Sequence, residues 1–172
     1  MNNAVNNDKA IRLPAAMAAG VCLLSLLIAY FYMERYLLLE PCPLCILDRI
    51  AVALMCGGFF ALAVTRHWHW RLAAWAYTTM ALLAGWVFAL RHIWLQNRPP
   101  DENLTCLSDN AAAQGLIEII KQAFDAKADC GAIMWEPYGW TIPEQVLLLF
   151  FGLTLVQGWL LWQLVQRRRQ EV

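Results

Sequence analysis

Two thiols separated by two residues, in the run Glu40-Pro41-Cys42-Pro43-Leu44-Cys45, are the feature of this chain best suited to chemistry. That spacing can close a small disulfide ring and exchange it with another thiol. Pro43 suits the first turn of a helix, where its missing N–H costs little. The unpaired N–H groups and the dipole of such a helix end favour an anion, and so favour the nucleophilic thiolate. A different reading makes the pair half of a zinc site, which needs further Cys or His ligands at a closed spacing. Cys106 and Cys130 could supply them, although the two pairs differ greatly in spacing.

Arg49 follows Cys45 by four residues, so on a helix it shares that face about 6 Å further along. A cation inside an apolar run is expensive and marks a functional position by default. It could stabilise a Cys45 thiolate or the negative charge growing on a reduced electron acceptor. The alternatives are an ion pair with Asp48 or a side chain reaching back to the lipid headgroups. Cys56 repeats the same face but lies about 16 Å from Cys45 at helical rise, beyond the roughly 7 Å between Cα atoms that a disulfide allows. Cys22 and Cys56 both fall within apolar runs and read as small apolar fillers. Cys106 and Cys130 enclose 23 residues, in which Ala113, Leu116, Ile117, Ile120 and Phe124 recur at helical spacing. This amphipathic stretch could lie on the membrane surface or pack on the end of the bundle. The Cys106/Cys130 pair itself is either a static staple or a relay that trades its disulfide with Cys42/Cys45. A relay would finally deliver two electrons to a lipid-soluble acceptor.

The elements that position these residues follow from composition. Of 172 residues, 60% are hydrophobic and 15% charged, where a soluble chain carries about 25% charge. The formal net charge of zero offers no electrostatic case for a nucleic-acid partner. Four runs are long and apolar enough to cross a bilayer as helices, at residues 14–33, 44–64, 72–95 and 145–165. Lipid admits only helices and closed barrels, and no period-2 alternation supports a barrel. The expected fold is an all-α membrane protein, a four-transmembrane-helix bundle forming one integral domain over residues 1–172. The first run could instead be a cleaved signal, but it is long for one and no small-x-small site precedes Glu34.

Charge asymmetry sets the orientation. Lys9, Arg12, Arg66, Arg71 and Arg167 to Arg169 flank one side, while Asp101, Glu102, Asp109, Glu118, Asp125, Asp129 and Glu136 lie on the other. Both termini are therefore expected in the cytoplasm, with outer loops at residues 34–43 and 96–144. Tryptophans near the run ends (Trp68, Trp70, Trp94, Trp140, Trp162) suit an interfacial belt, and His67 and His69 read as headgroup-facing. Cys42, Cys45, Cys106 and Cys130 then share the outer compartment, where disulfides persist.

With those residues in view, the chain resembles the disulfide bond formation protein B (DsbB) family. The likeness covers nearly the whole chain: the Pro41-Cys42-Pro43-Leu44-Cys45-Ile46 start of the second span, Asp48-Arg49, Arg91-His92, Thr105-Cys106, Asp129-Cys130-Gly131, Trp135 and Pro143. The resemblance implies a bacterial inner-membrane enzyme, a quinone-dependent thiol oxidoreductase that reoxidises a periplasmic DsbA-like thiol oxidase. It implies that Cys42 and Cys45 are the quinone-linked pair, with Cys45 nearest the ring. Arg49 would support reduction of the quinone, whether ubiquinone or menaquinone, and His92 would lie near its pocket; an interfacial histidine is the other reading. Cys106 and Cys130 would face the DsbA-like partner, with Cys106 forming the mixed disulfide. No metal is implied. Pro43 departs from the small or aliphatic residue commoner in the motif, and residues 97–103 are unusually polar, which bears on redox poise and partner choice.

Two other function classes stand beside this one. A structural or adaptor membrane protein would use Cys106–Cys130 as a staple and tolerate loss of Cys42 and Cys45. A small transporter would need polar residues deeper in the bundle, yet beyond Asp48, Arg49, Arg91 and His92 the spans offer no membrane-depth ion path. No Ser/His/Asp set, nucleotide loop or dinucleotide fingerprint is present.

Overall fold

The computed structural model describes residues 2–39, 41–97, 115, 117, 120 and 139–171. Four long helices dominate them: α1 (Asn2–Leu27), continued by a π-helical stretch at Ile28–Tyr36, α2 (Pro43–Val64), α3 (Trp68–Gln96) and α4 (Ile142–Glu171). Each contains a span long and apolar enough to cross a membrane: Asp8–Tyr36, Pro43–Val64, Trp68–Gln96 and Ile142–Arg169. Among the described residues there is no strand. Of the expected amphipathic stretch only Ile117 and Ile120 are described, both helical and exposed; Ala113, Leu116 and Phe124 lie outside the described residues.

The helices run past the apolar stretches that announce them, because a backbone leaving hydrocarbon still gains by bonding to itself. Glu34 and Arg35 thus belong to the continuation of α1 rather than to a loop, their charges held by partners: Arg49 for Glu34, and the Tyr30 hydroxyl at 3.1 Å for Arg35. The helix ends at Tyr36, and Leu38, just past its cap residue Leu37, has a φ of 55°, the left-handed conformation. Leu39 N–H donates to the Met33 carbonyl at 3.0 Å across this residue, closing the helix end.

α1 packs on α2, α2 on α3, and α4 closes the ring against α1 and α3. Small residues on one face of α1, namely Ala15, Ala18, Ala19 and Cys22, are buried and let α2 approach. Val52, Met55, Phe59 and Leu62 of α2 meet them, together with Phe150, Leu153, Leu160 and Leu164 of α4. Cys22 is fully buried in this core, and Cys56 Sγ lies 3.4 Å from the Ala19 carbonyl. The outward faces are greasy, with Met17, Phe60, Met80 and Leu155 among the exposed side chains. Lipid is the solvent that such a surface requires.

Several polar groups inside the bundle bond between helices. Gln157 of α4 donates through Nε2 to the Trp75 carbonyl and to Thr79 Oγ1, each at 2.8 Å, while the Trp75 indole donates back to the Gln157 carbonyl. Trp86 donates to Thr154 Oγ1 at 3.0 Å. Because residues 75 and 86 of α3 pair with 157 and 154 of α4, the two helices run antiparallel.

The closest approach of α2 and α3 is at Gly58, where an added Cβ would collide with Thr78 Oγ1 and come within 3.1 Å of the Tyr77 ring. Its neighbour Gly57 has nothing within 4 Å. Gly58→Ala is expected to cost about 1–3 kcal/mol through overpacking. Gly57→Ala should hold or raise stability through helix propensity. Thermal unfolding of both variants in detergent checks the contrast.

Candidate functional site

At the N-terminus of α2, Cys42 is the N-cap residue, extended at φ −69°, ψ 161°, and Pro43 opens the helix. The Cys42 Sγ takes the capping role usually given to a Ser or Asp oxygen, accepting from the Cys45 N–H at 3.2 Å. A charged sulfur accepts such a bond better than a neutral one, so the cap favours a Cys42 thiolate. The cap also folds Cys42 back over the first turn, which sets its sulfur 2.9 Å from Cys45 Sγ. That separation lies inside van der Waals contact, and a small side-chain rotation closes it to the roughly 2.05 Å of a disulfide.

His92, near the end of α3, approaches from the side. It is 3% exposed, with Nε2 at 3.8 Å from Cys42 Sγ. Its Nδ1 lies 3.9 Å from Asp48 Oδ2, and that carboxylate is also buried. Sulfur, imidazole and carboxylate thus form a row across the α2–α3 interface. Such a row can take a proton from Cys42 and stabilise the imidazolium that results. The wall around it is apolar: Leu44 and Leu47 are buried, and Ile46, Ile50, Phe88 and Leu95 pack against them.

Cys42, Cys45 and His92 place their donor atoms within 4.8 Å of one another, a grouping that suggests a metal at first sight. Two thiolates bound tetrahedrally to zinc at about 2.3 Å sit roughly 3.8 Å apart, about as far above the 2.9 Å found here as a disulfide lies below it. Among the described residues no fourth donor joins the three. The set is arranged as a dithiol with a base.

Arg49 does lie one turn beyond Cys45, but its ion-pair partner is Glu34 at the end of α1, not Asp48. Consecutive helical residues point about 100° apart, so Asp48 faces α3 and His92 while Arg49 faces α1. The guanidinium remains 26% exposed. Glu34 and the Asp48–His92 pairing were both missed in the sequence. A buried carboxylate in an apolar run demands a cationic partner, and Arg91-His92, towards the same end, offered the signal. Nothing local relates Glu34 to Arg49. Of the six expected site residues, Cys42, Cys45 and His92 come together and Arg49 stands one turn away; Cys106 and Cys130 lie outside the described residues.

The family model for "Disulfide bond formation protein DsbB" matches residues 11–160. Among curated relatives named "Disulfide bond formation protein B", that of Psychrobacter sp. (strain PRwf-1) is 34% identical over 150 residues, covering 84% of this chain and 87% of the relative. That of Psychrobacter arcticus is 35% identical over 146 residues, covering 80% and 81%. That of Stutzerimonas stutzeri is 37% identical over 150 residues, covering 83% and 89%. No solved structure matches the chain significantly. A match over most of the length, joined to a thiol pair at the head of an apolar helix, has one conclusion: the chain belongs to the DsbB family of membrane proteins and has a redox role in disulfide bond formation.

Proposed function

We propose that this protein reoxidises a periplasmic dithiol oxidase of the DsbA kind and passes the electrons through two cysteine pairs to a membrane quinone. The observation that carries the reading is the Cys42–Cys45 pair, 2.9 Å apart at a helix start and backed by His92. In this reading the protein sits in the bacterial inner membrane, Arg167 to Arg169 lie in the cytoplasm, and all four working cysteines lie in the periplasm.

Each exchange step moves one electron pair. A thiolate of the reduced partner attacks the Cys106–Cys130 disulfide, Cys106 forms the mixed disulfide, and Cys130 leaves as a thiolate. The partner's second thiolate then closes its own disulfide and releases Cys106. The Cys106/Cys130 dithiol next opens the Cys42–Cys45 disulfide and is itself reoxidised. That leaves Cys42 and Cys45 reduced; as the pair gives up its two electrons, His92 takes the proton of Cys42 so that its thiolate recloses on Cys45, and the Asp48 carboxylate 3.9 Å from Nδ1 favours the imidazolium that results. Cys45 is the electron donor to the acceptor.

The residues present fit a quinone. Leu44, Leu47, Phe88 and Leu95 supply an apolar wall, and the partly exposed Arg49 offers N–H groups for a carbonyl oxygen. A bound quinone, ubiquinone or menaquinone, supplies a sink for two electrons and two protons.

The test follows quinone absorbance after mixing the purified protein with a reduced DsbA-type oxidase and quinone. Cys45→Ser and Cys106→Ser are each expected to abolish turnover. Arg49→Ala should raise the quinone concentration needed for half-maximal rate about 10- to 150-fold, since a charged hydrogen-bond donor contributes about 1.5–3 kcal/mol. Full quinone reduction by Cys45→Ser would remove the assigned donor and with it the reading.

His92 carries a separate expectation. If it serves as base to Cys42, His92→Gln should slow turnover by about 100-fold at neutral pH. The helical content measured by circular dichroism should stay unchanged. A rate within twofold of wild type would reduce His92 to a packing role.

A further inference from the structure

The end of the bundle opposite the thiols carries a second charged cluster that the redox chemistry does not use. Asp8 of α1, Arg71 of α3 and Arg167 of α4 meet there. Asp8 Oδ1 accepts from Arg71 Nη1 at 3.0 Å and also pairs with Arg167. Arg71 is only 1% exposed, and its Nε donates to the Thr65 carbonyl at 2.8 Å. Its Nη2 is buried with no hydrogen-bond partner among the described residues. Leaving a buried charged donor unmatched is costly. The arrangement therefore asks for an acceptor.

The room for one is present. Arg66, His67, Trp68, Arg71 and Arg167 line a cavity of about 180 Å³, the space of about six waters. The lining holds three guanidinium groups, and Asp8 pairs with two of them, Arg71 and Arg167. Trp68 is the first residue of α3, so the positive end of that helix's dipole adds to the arginines' field. Arg168 lies over the Trp68 ring, 5.6 Å from its centroid, adding a further cation at the rim.

We propose that this cavity binds the phosphate of an anionic phospholipid headgroup. Arg71 Nη2 and the Arg66 and Arg167 guanidinium groups are the donors. A lipid is favoured over a soluble anion because the cavity sits at span ends, beside side chains that only acyl chains would cover. Val64 is 53%, Trp70 69% and Leu72 41% exposed. A basic pocket between transmembrane helices at headgroup depth is a physical fit for such a lipid. The proposal is independent of the redox reading.

The test titrates the delipidated full-length protein in neutral detergent with short-chain phosphatidylglycerol, phosphatidylcholine or inorganic phosphate, counting bound lipid by native mass spectrometry. Phosphatidylglycerol is expected to bind one to one, and phosphatidylcholine about tenfold more weakly. Arg66→Gln, an exposed position that should not disturb folding, and Arg71→Gln should each weaken phosphatidylglycerol about tenfold. Equal binding of the two lipids, or undiminished phosphatidylglycerol binding by Arg66→Gln, would overturn the proposal. Displacement of the lipid by equimolar inorganic phosphate would assign the cavity to a soluble anion and overturn it as well.

Discussion

A polar group taken into hydrocarbon without a partner costs several kcal/mol, and this constraint decides where everything else in the bundle stands. Its middle is apolar apart from a few polar side chains that bond across helices, Gln157 with Trp75 and Thr79 and Trp86 with Thr154. Charges are pressed to the two ends, and there they must find mates on other helices. Glu34–Arg49 joins α1 to α2, and Asp48–His92 joins α2 to α3. Asp8–Arg71–Arg167 joins α1, α3 and α4 at the other end. The same requirement that costs stability therefore fixes the relative positions of the helices.

Reactivity grows out of that arrangement rather than being added to it. A helix start needs acceptors for its first N–H groups, and here the acceptor is a sulfur. Meeting a structural need with Cys42 places a thiol at the positive end of a helix. The partner needed by Asp48 is the imidazole that reaches the same sulfur. Two obligations of folding, a cap and a neighbour for a buried carboxyl group, thus converge on one thiol.

Much of this was legible in the chain itself. Twenty-residue apolar runs reveal spans because hydrocarbon thickness is a fixed ruler, and Cys42-Pro43-Leu44-Cys45 reveals a helix-seated thiol pair because capping and turn chemistry are local. Charge pairing was not legible. Arg49 had Asp48 as its nearest neighbour in sequence, yet helix periodicity turns the two to different partners. Glu34 read as loop because its charge ends the apolar run, while the structure keeps it helical through a partner 15 positions away. The empty donor of Arg71 had no sequence signature, since Arg71 looks like any arginine flanking a span.

Leu38 has a mechanical consequence. By turning left-handed it lets Leu39 anchor its amide to Met33, leaving three residue steps to Cys42. At no more than about 3.6 Å per step, the Cys42 backbone is leashed within roughly 11 Å of that anchor. A sulfur so tethered cannot swing out to greet a visitor. On the proposed function, a thiol that exchanges with it would have to come to the helix end, and the reach would belong to the other party.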